Sequence, residues 1–259
     1  MSQFITFTRK EFRESFATVR MYVLIPVFVL IGLMNPIVSL LTPSLMDALA
    51  EQMGGPGGEG MIITAWTSWE TFFGNASGEM GMGTIAFVIA FCGVVSSEFS
   101  KGTMINLLTK GLKRPVVILS KFFTVSVLWT LCLLVAIGVT AIFTAILFDP
   151  ISFSHTILAF FGPWLFGLFA IALLILGGTI VGSFYGGLAA YGGVAVVLGL
   201  LSLVPGISRF SPGGIGQATY SLLAGVAQPG DFIPAFIVTT VLIAGMICAS
   251  IIIFNKKRV

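Results

Sequence analysis

The chain has 259 residues, of which 57% are hydrophobic and 9% are charged, and its mean hydropathy is +1.07. Because so little polar surface cannot cover a water-soluble globule, the composition excludes an ordinary soluble domain and indicates an integral membrane protein. The formal net charge of +3 averages loops of very different charge, so its overall value says little about partners.

The first 20 residues predict an amphipathic helix that lies on the membrane surface. Four apolar residues share one stripe at helical spacing, namely Ile5, Phe12, Phe16 and Val19. Arg9, Arg13 and Arg20 flank the stripe, where their side chains can reach anionic headgroups. A basic tail that only fixes the topology explains the same residues equally well.

The apolar stretches predict an all-α membrane protein in which residues 1–259 form one transmembrane domain. A helix needs about 20 mostly apolar residues to cross a bilayer. Six stretches are candidates, at about residues 21–41, 81–97, 122–148, 156–184, 187–205 and 232–254. No Asp, Glu, Lys, Arg or His lies inside these stretches, which counts against an ion-coupled antiporter and against an intramembrane protease.

Two segments between spans carry their own predictions. Residues 44–80 contain a Gly-rich break and then aromatic residues at roughly helical spacing, which predict an interfacial helix anchored by Trp66, Trp69, Phe72 and Phe73. Residues 206–231 are rich in Gly and Pro, and their apolar piece at 215–226 is too short to span. This segment is predicted to be re-entrant or interfacial.

Small residues recur every four positions from the fourth span into the fifth, at Gly178, Gly182 and Gly186. Such spacing lets two helices approach closely in lipid. Packing of spans four and five against each other is the favoured interpretation, and a seam between two copies of the chain is the alternative.

Basic residues predict the orientation. Twelve of the thirteen Lys and Arg residues precede the first span, follow the second or follow the sixth, and Arg209 alone lies on the other side. Because cytoplasmic loops are enriched in Lys and Arg, both termini are predicted to be cytoplasmic. An even number of spans in the cytoplasmic membrane agrees with this.

The loop of residues 97–121, called the island below, is the main basic loop between spans. Its apolar residues Met104, Ile105, Leu108 and Leu112 share one helical face, and Gly111 and Pro115 can end the helix. A short amphipathic helix at the cytoplasmic face is therefore predicted. A loop that only fixes topology is again the alternative.

The order of residues in the island resembles a family signature. Glu98-x-x-x-Gly102-Thr103, then Leu107-Leu108, Arg114 and Lys121 are similar to the E-x-x-x-G-T…LL-x-x-P-x-x-R…K signature of type-2 ABC transporter permeases. The family's usual Pro falls at Gly111 here. Two further parts of the chain resemble the start of that family, Arg9-Lys10-Glu11-Phe12 and Asn35-Pro36.

The resemblance implies the transmembrane subunit of an ABC exporter. Its partners would be two copies of a cytoplasmic ATPase, which bind ATP and Mg²⁺, and a second permease that is the same or a homologous chain. The implied ATPase-docking residues are Glu98, Lys101, Gly102, Thr103, Leu107, Leu108, Lys110 and Arg114. The surface helix with Arg9, Lys10, Glu11 and Phe12 would join them.

Several further expectations concern chemistry. The chain lacks a phosphate-binding GxxxxGK[ST] loop, so ATP hydrolysis is expected on another polypeptide. No catalytic residue, metal site or nucleic-acid partner is predicted. A secondary or facilitative transporter is the alternative function, and a membrane-embedded enzyme is weaker because no catalytic cluster is evident.

Overall fold

A computed structural model describes residues 3–53, 65–76, 81–94, 112–149, 156–202, 210–215 and 232–256, together with 222, 228 and 230. These residues form eight α-helices, with no strand among them. The helices are α1 (Gln3–Ala17), α2 (Val19–Met53), α3 (Ala65–Ala76), α4 (Met82–Phe91), α5 (Arg114–Leu147), α6 (Thr156–Val181), α7 (Phe184–Ser202) and α8 (Ile233–Lys256). Helices α2, α5, α6, α7 and α8 are long and apolar enough to cross a membrane. The prediction of an all-α protein is confirmed for the described residues, and five apolar helices support its membrane-spanning character.

Two spanning helices are longer than the sequence predicted. Helix α2 continues through residues 44–53, which were predicted to lie in a loop, and its 35 residues cover about 52 Å. Leu, Met, Ala, Glu and Gln dominate that extension, and all of them favour helix. Helix α5 begins at Arg114 rather than near residue 122, because Pro115 fits the first turn of a helix, where no amide donor is needed.

The predicted second span is shorter in the structure. Helix α4 has 10 residues and is about 15 Å long, roughly half of the hydrocarbon thickness. A turn follows it to residue 94, and residues 95–97 of the predicted span lie outside the described residues. The described part of this span therefore does not by itself cross a bilayer.

Helices α2 and α5 run parallel to each other. The Phe28 and Trp129 rings are 5.9 Å apart between centroids, and about two turns further along α2 and three along α5 the Asn35 amide donates to Thr140 Oγ1 at 3.5 Å. Thr140 Oγ1 in turn donates to the Gly32 carbonyl oxygen at 3.0 Å. Both helices therefore begin at the same end of the bundle, called the basic end below.

The remaining spanning helices alternate in direction. The Trp164 indole of α6 donates to Thr130 Oγ1 of α5 at 2.9 Å. Phe160, about one turn earlier on α6, packs on Trp69 of α3. Helix α6 therefore runs back from the opposite end toward the basic end. Helix α7 returns after a turn at Gly182, whose φ of 72° suits glycine. Helix α8 starts against α6, where Phe161 and Phe236 are in contact, and ends at the basic end.

The core of the bundle is built from aromatic rings around Trp129. This side chain is fully buried and packs edge-on against Phe28 and Phe87. Gly167 on α6 leaves the space that the indole ring fills, since a Cβ at this position would overlap the ring. Helix α6 is buried along most of its length and is the central helix of the bundle.

Helix α3 covers the opposite end of the bundle. Its Ser68 hydroxyl is hydrogen-bonded to Thr144 Oγ1 of α5 at 2.8 Å. Trp69, Phe72 and Phe73 are buried within the protein and are not the exposed interfacial anchors that the sequence predicted. The predicted helix is present, but its aromatic face packs on α6 because Phe160 and its neighbours offer apolar protein surface there.

Most of the predicted re-entrant segment at 206–231 lies outside the described residues. Two of its apolar side chains, Ile215 and Leu222, are fully buried. Ile215 packs with Leu165, Ala235 and Phe236, between the α6 and α8 helices. This part of the segment is therefore sheltered by the bundle.

Candidate partner-docking site

Three separate parts of the chain meet at the basic end. The Arg114 guanidinium, in the first turn of α5, donates to the carbonyl oxygens of Phe254 and Asn255 at 2.7 and 2.9 Å. These carbonyls belong to the last turn of α8, where helix geometry leaves acceptors without a partner. The backbone amide of Lys113 donates to Gln3 Oε1 of α1 at 3.4 Å. The end of the island is thereby attached to both terminal helices.

A buried ion pair fixes α1 to α5. Lys121 Nζ lies 3.0 Å from Glu11 Oε2, and the two side chains are only 3% and 7% exposed. Next to this pair, Thr8 Oγ1 donates to Ser120 Oγ at 3.1 Å. A charge removed from water needs a partner with good geometry, and loss of one partner of a buried pair costs about 3–5 kcal/mol. The pair therefore fixes the position of α1 along α5.

Aromatic contacts support the same attachment. Phe123 of α5 packs edge-on against Phe4 and Phe12, with ring centroids 6.1 and 6.5 Å apart. Phe7 is buried on the inner face of α1. The predicted apolar stripe lies to the side of this inner face, and its members Ile5 and Phe16 remain exposed. The helix thus has an inner face on the protein and a separate apolar flank.

The outer face of α1 is cationic. Arg9, Lys10 and Arg13 are exposed, and Lys10 Nζ lies 2.9 Å from Glu14 Oε2 and 3.0 Å from Glu11 Oε1. An open cavity of about 900 Å³ runs along this face, and its described lining residues all belong to α1. A surface of this kind can hold an anionic partner next to apolar contacts.

Charges are segregated along the bundle. Eight Lys and Arg residues of the described ranges lie on the parts that form the basic end: Arg9, Lys10, Arg13, Arg20, Lys113, Arg114, Lys121 and Lys256. Two acids, Glu11 and Glu14, are also at this end, on α1. The other described acids at helix ends lie at or near the far ends of α2 and α5 and on α3: Asp47, Glu51, Glu70 and Asp149. The described members of the predicted basic clusters therefore belong to one end of the structure.

The predicted docking residues divide into two groups. Glu98, Lys101, Gly102, Thr103, Leu107, Leu108 and Lys110 lie outside the described residues. Arg114 is described, and its guanidinium binds α8 within the same chain. Within the surface helix, Glu11 faces α5, whereas Arg9 and Lys10 face outward and Phe12 is half-buried. A partner at this face would thus meet Arg9 and Lys10 and not Glu11.

The pairing of Glu11 with Lys121 was missed by the sequence analysis. The sequence held two weak indications of this pair. Glu11 and Thr8 are three residues apart and share one helical face, and Lys121 directly precedes an apolar span. Lys121 was noted only as the end of the family-like signature. The resemblance assigned no partner to it within the chain.

The glycine positions behave differently from one another. A Cβ at Gly186 would overlap the Val181 side chain and the carbonyl oxygen of Gly177, so α6 and α7 approach closely there. Gly182 forms the turn between the helices, and Gly178 is buried and accepts a hydrogen bond from the Gly182 amide. Gly177, which the sequence analysis did not select, makes the closest approach to Gly186 and Ala190.

The described residues offer no cluster of three or more His, Cys, Asp or Glu side chains that could hold a metal ion. A search against models of known protein families finds no match for this chain, and a search of curated proteins finds none either. By its geometry, the basic end is a junction of helix ends with a cationic outer face.

Proposed function

We propose that this chain is the transmembrane permease subunit of an ABC exporter. A separate cytoplasmic ATPase would bind ATP and Mg²⁺, and this chain would use the hydrolysis for efflux of a substrate such as a peptide, a lipid or a drug-like molecule. The observation that carries the proposal is the junction at the basic end. There Arg114 attaches the end of the family-like island to α8, while the Lys113 amide and the Glu11–Lys121 pair attach it and the first turns of α5 to α1.

The junction gives the proposal a mechanical route. The ATPase, in two copies, docks on the island residues 98–110 and on the outward part of α1. Movement of the docked island is passed through Arg114 to α8 and through the first turns of α5 to α1. Since α5 is a continuous helix of 34 residues, displacement at one end reaches the other. The substrate path lies between this chain and a second permease, the same or a homologous chain.

The proposed topology has six crossings, with both termini in the cytoplasm. Because α2 and α5 run parallel, the chain between them has to return from the opposite end to the basic end, and α4 is the described part of that return. The basic end is cytoplasmic by the positive-inside rule. Single cysteines at Glu70 and Lys256, in a background without native cysteines, test this with an impermeant thiol reagent. Glu70 should react in intact cells and Lys256 only after lysis, and the reverse pattern would refute the orientation.

The alternative, a secondary or facilitative transporter, is favoured by one observation. The Glu11–Lys121 pair places two ionisable groups inside the protein, and such groups can take part in ion coupling. The pair lies about two turns from the start of α5, at the basic end and not at mid-span. This position suits attachment of α1 better than a transport path.

Purification of the tagged chain from membranes tests the exporter proposal. An ATPase subunit should co-purify, and the reconstituted complex should transport only with hydrolysable ATP, whereas the chain alone should hydrolyse none. A chain that transports in proteoliposomes without an ATPase, driven by a substrate or ion gradient, would overturn the proposal and favour the alternative.

A further inference from the structure

Two stripes on the outside of α1 run next to each other along the open cavity. Arg9 and Arg13 are one helical turn apart and exposed, and Phe12 and Phe16 form the neighbouring apolar stripe. Phe16 is 44% exposed. The α1 wall of the cavity therefore carries a stripe of guanidinium groups next to a stripe of aromatic surface.

The charges in this cavity favour an anion. Lys10 lies close to both Glu11 and Glu14 and offsets part of their negative charge. Arg9 and Arg13 add two further positive charges. Guanidinium groups match the geometry of phosphate oxygens, because their donors form a planar fork. The aromatic flank adds a requirement for an apolar part in the same ligand.

The position of α1 sets the depth of the cavity. Phe12 packs on Phe123, which lies inside the membrane-crossing helix α5 and is itself 48% exposed. The buried Glu11–Lys121 pair keeps α1 at this level along α5. The aromatic flank is thereby next to the apolar outer surface of the bundle. With α5 crossing the bilayer, we expect this flank to adjoin lipid chains and the arginines to reach the headgroups.

We propose that this cavity binds an anionic phospholipid, with its phosphate on Arg9 and Arg13 and one acyl chain along Phe12 and Phe16. A soluble anion supplies no apolar part, so it would leave the aromatic flank uncovered. Lipid binding can be measured on this chain alone, without an ATPase. The lipid would occupy the same outward part of α1 that the exporter proposal gives to the ATPase, so the two would compete for Arg9.

Native mass spectrometry of the purified, delipidated chain tests the site. The parent is titrated with phosphatidylglycerol and with phosphatidylcholine of the same acyl chains, and it should bind the anionic lipid more tightly. The Arg9→Gln/Arg13→Gln variant should bind phosphatidylglycerol about thirtyfold more weakly, since each basic residue near a lipid surface contributes about fivefold. Lys256→Gln, an exposed cation at the same end, is the matched control and should bind like the parent.

Two further arms separate the sources of the anion. Phe16→Ala should weaken binding of both lipids by a similar factor, and millimolar inorganic phosphate should leave phosphatidylglycerol bound. Equal affinity of the parent for the two lipids would overturn the proposal, even if the arginine variant failed to fold. Equal binding by parent and arginine variant would also overturn it. Loss of ATPase co-purification in the arginine variant, with lipid binding unchanged, would also overturn the proposal, because the cavity would then bind a protein.

Discussion

The basic end and the middle of the bundle are held together by different forces. At the basic end, α1 and α8 are attached to α5 by an ion pair and by a guanidinium on helix carbonyls. In the middle, α2, α4, α5 and α6 meet around Trp129, whose indole packs on aromatic rings and fills the space left by Gly167. The first region combines a few polar contacts with aromatic contacts on Phe123, and the second depends mainly on shape.

This difference indicates which part can move. Closely packed aromatic cores respond to change as a unit, because their neighbours cannot shift independently. A junction held by a few polar contacts can open locally, at a cost below that of unfolding the whole bundle. We therefore expect the middle of the bundle to behave as the rigid body and the basic end as the adjustable attachment.

The largest effect is expected from Gly167→Leu. A side chain here overlaps the buried indole of Trp129, and the surrounding rings leave no room for it, so overpacking should cost about 3 kcal/mol or more. Most of the protein should be lost from the monodisperse peak in fluorescence-detected size-exclusion chromatography. Gly245→Leu, at a helical glycine whose Cβ would meet nothing within 4 Å, is the control and should elute like the parent. Normal elution of the Gly167 variant would refute the description of the core.

Glu11→Ala should affect less of the molecule, because its effect is confined to the basic end. It leaves the buried Lys121 ammonium without its carboxylate, at about 3–5 kcal/mol, and α1 should detach while the bundle stays folded. Trypsin should then cleave at Arg9 or Arg13 much faster than in the parent. The charge exchange Glu11→Lys with Lys121→Glu should restore part of the protection.

Glu14→Ala is the matched control for this prediction. Glu14 is 55% exposed and pairs with Lys10, so its loss should change the stability by less than about 0.5 kcal/mol. Equal protease sensitivity of the two variants would show that the Glu11–Lys121 pair does not hold α1.

Arg114→Gln should have the smallest effect on structure. The last carbonyls of α8 lose a charged donor, and hydrogen exchange in the last turn of α8 should become about tenfold faster. Arg13→Gln, on the outer face of α1, should leave that exchange unchanged. If Arg114→Gln reduced transport without changing exchange in α8, the residue would act on a partner, as the family resemblance implies, and not on α8.

The sequence was most informative where physical chemistry acts locally. Apolar length identified the spanning helices α5 to α8, and charge clusters grouped the residues of the basic end. It was less informative about helix ends, since hydropathy measures the lipid-crossing part and not the continuation of α2 through Met53. The aromatic face of α3 looked interfacial because its partner, Phe160, lies on a distant helix.

The contacts of the candidate site were the hardest to predict. Glu11 and Lys121 are 110 residues apart, and no periodicity connects two single charges over that distance. Arg114 was identified as a signature residue, but its contact with the end of α8 depends on how the helices pack. Side-chain pairs between helices are set by tertiary packing, which a single sequence does not display.

The central claim is that the island couples a separate ATPase to this chain, and one reconstitution tests it most directly. Transport, ATPase rate and co-purification of the ATPase are measured side by side for the parent, Glu98→Ala and Gly102→Leu. Loss of a docking contact costs about 1–4 kcal/mol, so both variants should insert normally but lose the ATPase or hydrolyse ATP without transport. If both variants assemble and transport like the parent, the island only fixes topology and the account is contradicted.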